Sequence, residues 1–423
     1  MEVAMLRIEN ALHLGAPVDL LVDGAKIAAM APAGHCSRPE NCEVFNANGL
    51  MLLPSFTDAH THMREPGQEY KEDISSGLSA ALHGGFGAVM CMANTKPVND
   101  GAAVTALMLE KAKKAWPDGP RLYPVAAASV ALEGKDMAPL AELREAGCVA
   151  VSNDGRPLAN AELVRRIMEY AADLGMIFID HCEDPDLARG WIMHEGEMSG
   201  MLGLKGQPGT GEALQAARDV MLAEYLNLPV HIAHVSAVET LRVIEWGKSR
   251  GVKVTAETCP HYLLLTDAAL ADYNNQARVS PPLRGAADRD ALRKAVKDGL
   301  IDILVTDHAP HAAHEKDDTL DKIPCGFTGL DLALSLTWGL VLDGALAESD
   351  LHRLWSRRPG EIFSLPRNEF NPGDPADFFL FDPEEEWMVK PGNLRSKSCN
   401  TPFIGSNMHG RVKHHWIGGK KLL

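Results

Sequence analysis

The chain has 423 residues, 46% of them hydrophobic and 23% charged, which is the composition of a globular protein long enough for one large domain plus a small one. Its formal net charge of -16 excludes a nucleic-acid partner, since phosphate contacts need clustered Lys and Arg, but leaves room for a small anionic substrate held by one local arginine. No apolar run approaches the about 20 residues that span a bilayer, and the first residues lack the basic start and apolar core of a signal peptide, so a cytoplasmic protein without membrane contact is expected.

Residues 1–55 read as short strands at 4–8, 18–22 and 26–30, with a hairpin turn at Asp23-Gly24. The apolar run 50–56 reads as one buried strand about to end, and Asp58-Ala-His-Thr-His-Met-Arg-Glu-Pro-Gly follows it. In an extended chain alternate side chains share a face, so His60 and His62 point the same way, with Asp58 and Arg64 in the same parity. An isolated His-X-His is more often a surface accident than a ligand pair. The rest of the chain changes that balance, because His181, His234 and Asp307 each end their own short apolar run.

From residue 56 apolar strands alternate with amphipathic helical stretches. Strands are expected at 88–92, 122–126, 149–152, 177–179, 230–233, 252–257 and 303–306, and helices at 102–115, 159–174, 215–225, 238–250 and 330–342. This is the pattern of a (β/α)8 TIM barrel. An open doubly wound sheet is disfavoured, because it gathers its chemistry at one crevice whereas the candidate residues here follow at least six different strands. The stretch 311–326 is polar and reads either as a solvated loop or as an active-site cover. Beyond about 365, strand-like segments return at 374–382 and 410–419. The expected division is therefore a barrel over 56–365 and a small β domain formed by 1–55 together with 366–423. The eight cysteines contain no CxxC pair and read as reduced thiols.

Seven motifs carry a resemblance over essentially the whole chain: residues 58–67, Met-Ala-Asn-Thr-Lys-Pro at 92–97, Ser-Asn-Asp-Gly-Arg-Pro at 152–157, His-Cys-Glu-Asp at 181–184, His-Val-Ser at 234–236, Thr-Cys-Pro-His at 258–261 and Thr-Asp-His-Ala-Pro-His at 306–311. The sequence resembles the cyclic amidohydrolases, and among them the dihydroorotases of the long bacterial type. The resemblance implies that His60, His62 and Asp307 hold one metal ion, that His181 and His234 hold a second, and that Asp154 bridges or joins them. Hydantoinase-like and allantoinase-like relatives usually have a carboxylated lysine at the Asp154 position. The resemblance also implies that Arg64, Asn94 and His311 recognise the carboxylate of dihydroorotate or carbamoyl-aspartate, with the backbone at Cys325 and Gly326 against the ring. Where the family usually has Asn-Pro-Pro-Leu-Arg this chain has Ser280-Pro-Pro-Leu-Arg, so a shorter hydroxyl replaces a usual substrate contact.

Imidazole and carboxylate donors suit Zn2+, one or two ions per chain, and a donor set without cysteine is of the catalytic kind. Water between two such cations ionises near neutral pH, and Asp307 is placed to carry the proton to a leaving nitrogen. The leading expectation is a zinc-dependent dihydroorotase acting through a metal-bound hydroxide. The rivals are another cyclic-amide hydrolase of hydantoinase or allantoinase type, and a non-catalytic scaffold for aspartate transcarbamoylase. A homodimer and an aspartate transcarbamoylase partner are the associations the resemblance brings. His261, His308 and His314 read as supporting or surface residues.

Overall fold

The structure, a computed structural model, describes residues 5–423. Strands β1 (Met5–His13), β2 (Ala16–Asp23), β3 (Lys26–Pro32), β4 (Cys42–Asn46) and β5 (Met51–Pro54) open the chain. The second group is β6 (Phe56–Thr61), β7 (Phe86–Cys91), β8 (Arg121–Ala127), β9 (Ala150–Ser152), β10 (Ile177–Asp180), the two-residue β11 (Met193–His194) and β12 (Gly206–Gln207), β13 (Val230–Ile232), β14 (Val254–Thr258) and β15 (Ile303–Leu304). The chain closes with β16 (Phe378–Met388), β17 (Asn407–Ile417) and β18 (Lys420–Lys421).

Eight parallel strands, β6 to β10 and β13 to β15, pair in sequence order with helices between them. The ring closes where Thr61 bridges His308 just beyond β15 and the His62 N–H donates to the His308 carbonyl at 2.8 Å. This is the expected (β/α)8 barrel. A second sheet runs β18-β17-β16-β5-β1-β2-β3, with β4 on β1, so strands from both ends of the chain share it.

Run 50–56 forms two strands rather than the single one expected. Pro54 has no N–H to continue the ladder, and Ser55 is where the chain changes sheets. The Ser55 N–H donates to the Asp377 carbonyl (3.0 Å), whereas the Phe56 N–H already donates to Gly85 inside the barrel (2.9 Å). Apart from Ser55 the run is apolar because both of its faces are buried. Leu52 joins the core of the small sheet while Met51 and Leu53 join that of the barrel, and in β16 the same alternation sends Phe378 and Leu380 one way and Phe379 and Phe381 the other. Phe56, Phe86, Phe379 and Trp355 pack with ring centroids 5.0–6.0 Å apart at this junction.

Of the first expected strand, Ala4 lies outside the described residues. The strand runs on to His13 because a bulge between Ile8 and Ala11 carries it past the break in alternation. Helices Ile74–His83, Leu140–Ala146 and Ala286–Lys297 are additional to those expected. The last of these buries only Asp288, Leu292, Ala295 and Val296, too narrow a stripe to announce itself by periodicity.

Candidate metal centre and substrate cavity

The carboxyl ends of the barrel strands converge on one cluster. β6 carries His60 and its exit His62, the β9 exit carries Asp154, the β10 exit His181, the β13 exit His234 and the β15 exit Asp307. Asp58 sits below them and is a tie rather than a ligand: its carboxyl accepts the Thr306 N–H at 3.1 Å and the Thr306 hydroxyl, joining the first barrel strand to the last. Burial pushes the Asp58 carboxyl up to about 7 against those donors. Three site residues take left-handed backbone conformations, Arg64 at φ 57°, His234 at 30° and Asp307 at 47°. Each such conformation costs on the order of 1–3 kcal/mol, which the surrounding packing offsets.

Asp154 lies at the centre. Its Oδ1 is 3.3 Å from His60 Nε2, 3.3 Å from His181 Nδ1 and 3.4 Å from His234 Nε2, and its Oδ2 is 3.5 Å from His62 Nε2. Asp307 Oδ1 stands 3.1 Å from His62 Nε2 and 3.7 Å from His60 Nε2. Behind the cluster, the wholly buried Glu257 takes His60 Nδ1 at 2.7 Å and His231 Nε2 at 3.0 Å, while Asn94 Oδ1 takes His62 Nδ1 at 2.8 Å. Burial opposes ionisation of Asp154, Asp307 and Glu257, but the surrounding imidazoles hold all three below the ordinary carboxylate range.

These residues fit a metal ion. The donor atoms of His60, His62 and Asp307 lie within 4.8 Å of one another, as do those of His60, Asp154 and His234. His60 Nε2, which faces Asp154 and Asp307, is buried without a hydrogen-bond partner. Burial lowers the proton affinity of His60, yet Asp154 and Glu257 raise it well above normal, so the site draws positive charge to its centre. A third such group, Asp180, Cys182 and Asp219, already has its cation: Arg218 lies 3.0 Å from Asp180 and 2.7 Å from Asp219.

A cavity of about 300 Å³ opens over the cluster. Its walls include every site residue expected from the sequence except His60, which is fully buried beneath: His62, Asp154, His181, His234 and Asp307 on the metal side, and Arg64, Asn94, Ser280, His311, Cys325 and Gly326 on the other. Arg64 Nε donates to the Pro310 carbonyl at 3.1 Å. In the cavity wall His311 Nε2 lies 2.8 Å from the Cys325 carbonyl and 3.4 Å from Arg64 Nη2, and its Nδ1 lies 3.4 Å from Lys71 Nζ. Gly326, at φ 117°, backs onto Ala309, where a Cβ would stand 2.5 Å from the Ala309 Cβ.

Stretch 311–326 is folded over this side and tied down: Arg278 donates to the Leu320 and Ile323 carbonyls and Lys316 to that of Pro324 (2.8 Å). Glu183 and Trp191 also line the cavity, the indole donating to the carboxylate at 3.2 Å, and neither was singled out from sequence. His308, read as a supporting residue, is fully buried between Glu72 at 3.3 Å and the Gly329 N–H at 3.1 Å; His261 is buried and His314 exposed. The missed Glu257 left one trace, an acid in a largely buried strand, whereas Glu72 lies in a polar stretch that is partly exposed and left none.

A family profile described as Dihydro-orotase-like matches residues 49–240. The chain is 46% identical to the dihydroorotase of Syntrophus aciditrophicus over 98% of its length and 96% of that protein, and 43% identical to that of Geobacter metallireducens over 95% and 94%. Among solved structures it resembles the L-hydantoinase of Arthrobacter aurescens (TM-score 0.86, 20% identity) and the dihydropyrimidinase of Brevibacillus agri (0.84, 23%), in each case over 99% of this chain and 95% of the other. Among the described residues no helix is long and apolar enough to cross a membrane.

Proposed function

The chain belongs to the dihydroorotase family, and from that membership and the cavity we propose the following reading. The protein is a cyclic amidohydrolase, a dihydroorotase that interconverts N-carbamoyl-L-aspartate and L-dihydroorotate in pyrimidine biosynthesis. Zinc, one or two ions per chain, is held by His60, His62 and Asp307 and by His181 and His234, with Asp154 joining the two subsites. When bound, such cations polarise a carbonyl and acidify water.

The observation that carries the reading is Arg64. Its guanidinium faces the same cavity as the imidazole and carboxylate cluster and, among the described residues, has no carboxylate within ion-pair distance. Burial pulls its pKa below the ordinary value, with Asp307 and Asp154 opposing from a distance. A substrate carboxylate supplies the missing counter-charge, and the planar guanidinium binds it in bidentate fashion. Because Asn94 Oδ1 is taken by His62 and one amide hydrogen faces Asp154 at 3.5 Å, the other amide hydrogen is the part left for substrate. Ser280 and the backbone at Cys325 and Gly326 border the ring. In hydrolysis Asp307 takes a proton from the attacking water as its oxygen bonds the ring carbonyl carbon. Asp307 then returns the proton to the ring nitrogen as the C–N bond breaks; cyclisation runs the same steps in reverse.

Arg64 and a plain carboxylate at Asp154 weigh against a hydantoinase or allantoinase, and the presence of all six ligand-type residues weighs against a scaffold. For partners, the reading carries a homodimer and association with an aspartate transcarbamoylase. Helix Gly209–Leu226 supports an oligomer by exposing Leu214, Met221 and Tyr225, and sedimentation of the chain alone and mixed with that enzyme tests both. The decisive experiment is metal analysis of the purified protein coupled to assays of dihydroorotate hydrolysis and carbamoyl-aspartate cyclisation. Zinc-loaded protein that turns over neither compound overturns the reading.

A further inference from the structure

We infer that Glu257, which does not line the cavity, is a positioning residue shared by both metal subsites: it fixes the ring of His60 on one side and the backbone of His234 on the other. The inference rests on the ligand assignment proposed above.

Glu257 sits near the end of β14, inside the barrel and fully buried. A carboxylate there is tolerable only if its oxygens are satisfied, and three donors satisfy them. Oε1 takes His60 Nδ1 at 2.7 Å and the His234 N–H at 3.2 Å, while Oε2 takes His231 Nε2 at 3.0 Å. The network ends on a neutral group, because His231 Nδ1 meets the Thr255 hydroxyl at 2.8 Å.

Two consequences follow. In the neutral ring that can ligate a metal, a carboxylate on Nδ1 keeps the one proton of His60 there and leaves Nε2, which faces Asp154 and Asp307 at 3.3 and 3.7 Å, as the ligand atom. The same oxygen restrains the His234 amide, where the backbone is held at φ 30°. One buried group therefore sets a ligand atom of the first subsite and the backbone of a ligand of the second. An amide at this position accepts at one end only, and its NH2 must face either His60 or His231. In the first case it favours the His60 tautomer that cannot ligate through Nε2.

The test is a zinc competition titration against a chromophoric chelator, using metal-free full-length wild type, Glu257→Gln and Glu257→Asp, with circular dichroism and thermal unfolding of each metal-free form. Glu257→Asp keeps the charge but withdraws it by one methylene, too short to hold both imidazoles. Folded metal-free variants are expected, with zinc affinity weakened roughly 10–100-fold at both binding steps. Activity should return at saturating zinc, and KM for dihydroorotate should be unchanged. Variants that fold and bind zinc within about twofold of wild type overturn the inference while leaving the ligand assignment intact. Weakening at a single step overturns the shared role. Failure of both variants to fold without metal overturns it too, because Glu257 is then part of the fold rather than of the site. A wild-type chain that binds no zinc overturns the ligand assignment and this inference together.

Discussion

The two sides of the cavity are built differently. On the metal side every donor lies on a barrel strand or at its immediate exit, and His60 is steered from behind by Glu257, a group with no access to solvent. On the proposed substrate side Arg64, Asn94, Ser280, His311, Cys325 and Gly326 all lie in connections; Arg64 and His311 meet carbonyls of other connections, at Pro310 and Cys325, while Asn94 reaches back to His62. The contrast separates two tasks. Chemistry at a fixed point needs donors held to within a fraction of an ångström, which strands provide, while recognition of a flexible substrate tolerates adjustable walls.

Substitutions on the two sides should therefore fail differently. The largest effect is expected for His60→Ala combined with His62→Ala: about one metal ion per chain is lost and turnover disappears, as read by elemental analysis and assay. Full metal retention by that double variant would break the distinction at its root. Next comes Asp307→Asn, which keeps shape but removes the base. kcat should fall roughly 10²- to 10⁴-fold while KM for dihydroorotate and carbamoyl-aspartate changes little. Near wild-type turnover at matched metal loading would mean that another group carries the proton.

Arg64→Met should show the opposite split, with KM for both carboxylate substrates rising about 10- to 100-fold, because a charge-assisted contact present in ground and transition states alike contributes about 1.5–3 kcal/mol. A fall confined to kcat would place Arg64 with the chemistry instead. The smallest effect is expected from Ser280→Asn, which restores the longer side chain usual in the family. KM should fall by about 2- to 10-fold with metal content unchanged, the range of one neutral hydrogen bond. A change in metal content would show that the two sides are not separable at this residue.

The same contrast explains what could be read from the sequence. His60, His62, His181, His234 and Asp307 were visible because a strand announces itself as an apolar run and its last residues point toward the site. Asn94 and His311 are legible only through motifs, since loops follow no period, whereas Arg64 also shares the parity of His60 and His62. What stayed hidden depends on distant partners. Glu257 meets His60 across 197 residues and Glu72 meets His308 across 236, and no local pattern marks such pairs. The switch of sheets at Ser55 was hidden for a different reason: a strand buried on both faces looks the same whichever core it enters.

The seam that closes the barrel also orders events during synthesis. Asp58 and Thr306 are 248 residues apart, so at about 5–20 residues per second the ribosome needs roughly 12–50 s after making the first before it makes the second. Throughout that interval β6 has no neighbour on its seam side, and His60 and His62 belong to an unfinished sheet as a bare chelating pair. Capture of a metal ion by the nascent chain at that stage would involve two residues of the eventual donor set and no cavity. Loading by the full donor set therefore belongs after Asp307 has emerged.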